Sequence, residues 1–289
     1  MLVLSYVYQC LLGFFVVEKR RMGMDKYSHY FFDLDGTLLH GGMLLPGAKE
    51  LVDALCANGK HVYFLTNHPV RSRKVLSADL QKLGLEITYN QLLTPVMGLI
   101  EYVHSNGLAS RKLYVAGSNM IREELSELGL HIGDREKGNG PEQIAVVLGM
   151  SPDLTYRQLQ EALWLIQNGA SLILLNEDLL CPNPKGFLID TGSLARLLDH
   201  PRFGHQTVSV GKPSYWMQKA LLRVMEGKID NAVIIGDSLL SDIGIGNALG
   251  MDTILVYSGV TTKDQLFGTA HHPTSVYASV QEIYQTIKG

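Results

Sequence analysis

Paired cysteines are missing from this chain. Its three cysteines, Cys10, Cys56 and Cys181, show no ligand-like spacing, which excludes a disulfide framework and a cysteine zinc site and fits a reducing compartment. A surplus of positive charge is missing too. Twenty-five Lys and Arg stand against 28 Asp and Glu, giving a net charge of -3, so no basic surface for nucleic acid is expected. Repeats, low-complexity tracts and linkers are absent. Long apolar runs are scarce: one, Leu2–Val17, is followed by Glu18-Lys19-Arg20-Arg21. It falls slightly short of the roughly 20 residues of a membrane span. Its positive charge comes after the apolar part, the reverse of a secretory signal. Residues 1–24 are therefore expected to be a dispensable extension ahead of the first strand, with a membrane anchor over residues 1–21 as the alternative. The rest is expected to be cytoplasmic.

What is present is a core-forming composition, 46% hydrophobic and 18% charged over 289 residues. Short apolar runs alternate with amphipathic stretches, the pattern of parallel strands joined by helices. Strands are expected at Tyr30–Phe32, His61–Leu65, Gln91–Leu93, Ala232–Ile235 and Thr253–Val256, with helices at Pro46–Asn58, Ser72–Gly84, Pro95–Ser105 and Tyr215–Met225. A second α/β unit is expected between them. The predicted architecture is a Rossmann-like doubly wound parallel sheet, residues 25–106 and 207–289, interrupted by an inserted α/β cap, residues 107–206. Thr207–Val210 is assigned to the first unit as a core strand.

The core strands run into different polar groups: Asp33-Leu34-Asp35-Gly36-Thr37, Thr66-Asn67-His68, Gly211-Lys212-Pro213 and Gly236-Asp237-Ser238 with Asp242 four residues on. Each has a plainer reading alone: a solvated turn, a helix cap with an Asx turn, a surface lysine, another helix cap. In a parallel sheet, however, strand ends converge on one crevice. Asp33 and Asp35, at i and i+2, would share a face there and repel unless a cation or proton neutralises them. Phosphoryl transfer to water needs a nucleophile, an acid/base, donors and fixed charge for the spectator oxygens, and usually magnesium. Asp33 fits as nucleophile, Asp35 as acid/base, Thr66 and the Asn67 amide as donors, Lys212 as cation, and Asp237 with Asp242 as oxygen ligands for Mg2+.

These four motifs, in this order, resemble the haloacid dehalogenase superfamily of phosphatases. The large insert resembles its subfamily IIA branch of 4-nitrophenyl phosphatases, nucleotide monophosphatases and sugar-phosphate phosphatases. The resemblance implies a phosphatase acting on a small phosphate monoester through an aspartyl-phosphate. It implies magnesium held by the Asp33 carboxylate, the Asp35 backbone carbonyl and Asp237, with Asp242 close by, and phosphate-facing amides near Gly36. It also implies a homodimer through the cap. A phosphotransferase or phosphomutase on the same core, and a non-catalytic phosphate-ligand sensor, are the rival readings. Two departures from the branch stand out. His68-Pro69 follows Thr66-Asn67 where Asn and then Ser are common, and Leu175-Asn176-Glu177-Asp178 replaces Thr-Asn-Pro-Asp. His68, Asn176 and Asp178 are the candidate substrate contacts on the cap side. Trp164 and Trp216 are expected in the core, and Arg71, Arg73 and Lys74 on a solvated helix face.

Overall fold

The computed structural model describes residues 24–133, 144–183, 185–227 and 229–288, so the apolar N-terminal run and its extension and anchor readings lie outside the described residues. Among these residues no helix is long and apolar enough to cross a membrane. The chain runs β1 (His29–Phe32), β2 (Leu39–His40), β3 (Met43–Leu44), α1 (Ala48–Ala57), β4 (His61–Leu65), α2 (Arg73–Lys82), β5 (Leu92–Leu93) and α3 (Pro95–Ser105). It continues through β6 (Lys112–Ala116), α4 (Asn119–Glu127), β7 (Ile144–Leu148), α5 (Tyr156–Gln167), β8 (Ser171–Leu174), β9 (Leu180–Asn183), β10 (Gly186–Ile189) and α6 (Thr191–Leu198). The last part holds β11 (Thr207–Ser209), α7 (Tyr215–Val224), β12 (Ala232–Gly236), α8 (Gly244–Leu249), β13 (Asp252–Val256), β14 (Ser275–Tyr277) and α9 (Val280–Lys288).

Six strands form a parallel sheet in the order β14-β13-β12-β1-β4-β5. Its strands read as unbroken apolar runs because helices cover both faces. Tyr30, Phe32, Val62, Phe64, Val233 and Ile235 pack with Leu51 and Leu55 of α1 and Leu76 and Leu80 of α2. The alternate residues Phe31, Leu65 and Ile234 pack with Met217 and Leu221 of α7 on the other face. Ser72, Ser118, Thr155 and Ser214 start α2, α4, α5 and α7, each accepting a first-turn N–H on its side chain. A second, four-stranded parallel sheet has the order β11-β8-β7-β6.

The structure corrects several expectations. The strand ahead of Lys212 is not a core strand: β11 pairs with β8 of the second sheet, Val208 beside Ile173. Helix α3, assigned to the first unit, packs Val96, Leu99, Tyr102 and Val103 against Leu113, Val115, Val147 and Ile173 of the second sheet. Elements on both sides of the expected 107–206 insert, α3 and β11, thus touch the second sheet. Hairpins β2–β3 and β9–β10, and the edge strand β14, were not expected. Trp164 is 46% exposed on the outside of α5, whereas Trp216 packs edge-on against Tyr102. Arg73 is buried rather than solvated. Its Nε donates to Glu124 Oε1 at 2.6 Å and its backbone N–H to Glu124 Oε2, while Lys74 pairs with Glu127, so α2 is pinned to α4 of the second unit.

Candidate active site

Chain direction carries the ends of β1, β4 and β12 to one cavity of about 270 Å³, roofed by the segment Asp178–Pro182. The Asp33 N–H still pairs with the Ile235 carbonyl, at 2.9 Å, which fixes Asp33 as the first residue beyond the buried strand. Four predicted residues meet there, all nearly excluded from water: Asp33 is 6% exposed, Lys212 2%, Asp237 3% and Asp242 1%. Lys212 Nζ donates to Asp33 Oδ1 at 2.7 Å, Asp242 Oδ1 at 2.6 Å and the Leu65 carbonyl at 2.9 Å, which uses its three protons. Asp33, Asp237 and Asp242 each offer an oxygen within 4.8 Å of the others'.

Three buried carboxylates facing one ammonium leave a deficit of positive charge. Burial pushes the Asp33 carboxyl well above its ordinary range; Lys212 opposes this, and Asp242 and Asp237 add to it. Burial, with the charge of Asp242, lifts Asp237 to about 7 despite the Val260 N–H at 2.6 Å from its Oδ2. Burial alone would lower Lys212, but Asp242 and Asp33 hold it above the usual lysine range. Asp33 Oδ2 is buried without a hydrogen-bond partner. A hard divalent cation fits this set, because it takes oxygen ligands and cancels the excess charge. Asp242 is the weakest of the expected ligands, since Oδ1 is held by Lys212 and Oδ2 by the Ser238 N–H at 3.1 Å. It lies in a wide π-type turn, Leu239–Ile243, ahead of α8.

Glycines make room for these carboxylates. Gly36 has φ of +91°, and a Cβ there would run into the Asp237 carboxylate. A Cβ on Gly259 would overlap the same group, and one on Gly236 would overlap Asp242. In the loop expected to offer amides near Gly36, the N–H of Gly36 itself goes to the Leu39 carbonyl at 2.7 Å, and its carbonyl accepts from Ser258 Oγ. Sequence reasoning missed the loop after β13, where Ser258 buttresses Gly36 and Val260 holds Asp237. A glycine directly ahead of Val260 was its one signal.

The remaining candidates separate into three positions. Asp35 is exposed, outside the buried cluster but on the cavity wall. Thr66 is buried there, and its hydroxyl accepts the His68 N–H at 3.1 Å. Asn67 is a junction: Nδ2 donates to Asp178 Oδ2 at 2.9 Å and the Lys212 carbonyl, and Oδ1 accepts the Lys212 N–H at 2.7 Å. Asn176, expected to face substrate, does not line the cavity. It is 1% exposed, and its amide holds the Asn67 carbonyl at 2.9 Å and Asp190 Oδ1. Asp178 and His68 do line it.

Two stretches of the chain, residues 30–131 and 209–283, match the families described as haloacid dehalogenase-like hydrolase and HAD-hydrolase-like. The 5'-nucleotidase YutF of Bacillus subtilis is 30% identical over 90% of this chain and 98% of its own. The ribonucleotide monophosphatase NagD of Escherichia coli K12 is 30% identical over 87% of this chain and 96% of its own. The solved structure of NagD from that strain aligns with a TM-score of 0.77 at 28% identity, covering 89% of this chain and 98% of that one. A hypothetical protein from Pyrococcus horikoshii aligns with a TM-score of 0.80, also at 28% identity, over 89% and 98% of the two chains. The matched stretches contain every strand end that builds the buried carboxylate cluster, and the chain belongs to the haloacid dehalogenase-like hydrolases.

Proposed function

We propose that this chain is a magnesium-dependent phosphomonoesterase in which Asp33 is the nucleophile. The observation that carries the reading is the state of Asp33, buried at a strand end with one oxygen held by Lys212 and the other unpartnered beside Asp237 and Asp242. The phosphatase activities named for its relatives support the same class of reaction.

In this reading an Asp33 oxygen attacks phosphorus in line with the ester oxygen, whose bond to phosphorus breaks as an aspartyl-phosphate forms. Asp35, on the open side of the cavity, protonates the departing alkoxide and then takes a proton from the water that hydrolyses the acyl phosphate. As Asp33 loses its charge to the new bond, the Lys212 N–H that donated to it turns to a spectator oxygen, the ammonium keeping its proton. The Thr66 hydroxyl and Asn67 backbone amide serve the same oxygens. Magnesium would be held by Asp33, Asp237 and the Asp35 carbonyl, with Asp242 behind Lys212, and would supply charge neutralisation at the phosphoryl group. The segment over the cavity limits water and selects the organic group.

The test is phosphate release from a panel of phosphate esters with and without Mg2+, set against Asp33→Asn. Release that requires the metal and falls by at least about 1,000-fold in the variant is the expected outcome. Folded, metal-binding protein that releases no phosphate from any ester would overturn the reading.

A further inference from the structure

Resting on the phosphatase reading, the walls of the cavity carry information about the leaving group. Among the described lining residues the charged groups are Asp33, Asp35, Asp178, Asp190, Asp237 and Asp242 against Lys212 alone. That lysine is already divided between Asp33 and Asp242. The roof offers Leu179, Leu180, Cys181 and Pro182, with no arginine or lysine and no aromatic ring. A carboxylate or second phosphate on the organic group would therefore lie against Asp35 and Asp178 with no counter-charge. A nucleobase would find no ring to stack on, in a cavity of about 270 Å³, just below the roughly 300–1,000 Å³ usual for ligand pockets.

One polar group of the wall is unexplained by the phosphate chemistry. His68 follows the phosphate-side residues Thr66 and Asn67, and its Nε2 is buried without a hydrogen-bond partner. Burial lowers its pKa, Arg71 acts in the same direction and Asp35 opposes them, which favours a neutral ring able to donate or accept. A buried polar atom without a partner is costly, and a ligand hydroxyl is the group that would complete it.

We propose that the cavity is built for phosphate esters of short, uncharged, hydroxyl-bearing alcohols, with His68 Nε2 as the hydrogen-bond partner of a leaving-group hydroxyl. Asp178, held by Asn67 on the cavity lining, sets an acidic group against a second anion in the same space. Nucleotides are named for two of the relatives and sugar phosphates or dihydroxyacetone phosphate for others, and the lining favours the second kind.

The experiment measures kcat/KM with Mg2+ for glycerol 3-phosphate, propyl phosphate, 2-phosphoglycolate and a nucleoside 5'-monophosphate, with 4-nitrophenyl phosphate as a general reporter. Glycerol 3-phosphate should exceed each of the other three natural-type esters by at least about tenfold. In His68→Ala the preference for glycerol 3-phosphate over propyl phosphate should collapse to within about threefold, mainly through KM, and His68→Gln should restore part of it. Equal wild-type use of 2-phosphoglycolate or the nucleotide would overturn the inference, as would a preference that survives His68→Ala. Should the alanine variant fail to fold, the wild-type ranking and the glutamine variant decide. Turnover of 4-nitrophenyl phosphate without the ranking removes this inference alone. No turnover of any ester removes the phosphatase reading beneath it.

Discussion

Asp237 should weaken the metal-free protein that it serves. Its carboxyl is 3% exposed and lifted from 3.8 to about 7, so the folded state holds a proton that the unfolded chain has already released. A carboxylate shifted upward costs stability above its unfolded value, and the cost grows until pH passes the folded value. Roughly three pH units at 1.36 kcal/mol each give a ceiling of about 4 kcal/mol, shared in part with Asp33 and Asp242. Asp237→Asn keeps the shape and an oxygen for the Val260 N–H while removing the charge. In EDTA at about pH 8 the variant should therefore be more stable than wild type by some 2–4 kcal/mol, and the gap should close toward about pH 4. Urea unfolding of both chains across this range, followed by circular dichroism, measures it. Added Mg2+ should raise the midpoint of wild type and leave the variant unmoved. A variant equal to or weaker than wild type at the alkaline end would refute the charge argument.

Three further outcomes are expected. Glu124→Ala strands the Arg73 guanidinium in a buried site, where side-chain exposures are 11% and 8%; urea unfolding should show a loss of about 3–5 kcal/mol, and Glu124→Gln a smaller one. Gly259→Ala sets a methyl against the Asp237 carboxylate; phosphate release should fall by at least about 100-fold, because misplacing a ligand by an ångström is enough. Mg2+ affinity, read by isothermal titration, should weaken as pH falls below about 7, since protons compete for the raised Asp237 carboxyl.

The architecture was legible because its strands are buried on both faces and therefore stand out as apolar runs such as Tyr30–Phe32 and Ala232–Ile235. Asp33, Lys212 and the Asp237–Asp242 stretch then meet from three segments distant in sequence. Sheet membership was less legible. Thr207–Ser209 has the same local pattern whichever sheet it joins, and only β8 beside it decides. The acceptor of a backbone N–H is likewise invisible to residue identity: nothing in the motif says that the Gly36 amide itself closes a turn onto Leu39. Arg73 looked like part of a solvated cluster because its partner, Glu124, lies 51 residues away. Asn176 was credited with substrate for its place on the cap, while its amide serves Asn67.

Lys212 stands between two allegiances. The strand before it, β11, belongs to the second sheet, and the helix after it, α7, packs Met217 and Leu221 beneath the first. Its side chain nonetheless supplies the counter-charge for Asp33, and its main chain is gripped by Asn67. Any parting of the two halves would pull on this joint, leaving Asp33 as a buried carboxylate without its cation, which favours its protonated form. In the proposed mechanism, seating of the two halves on one another is thus what gives Asp33 its counter-charge.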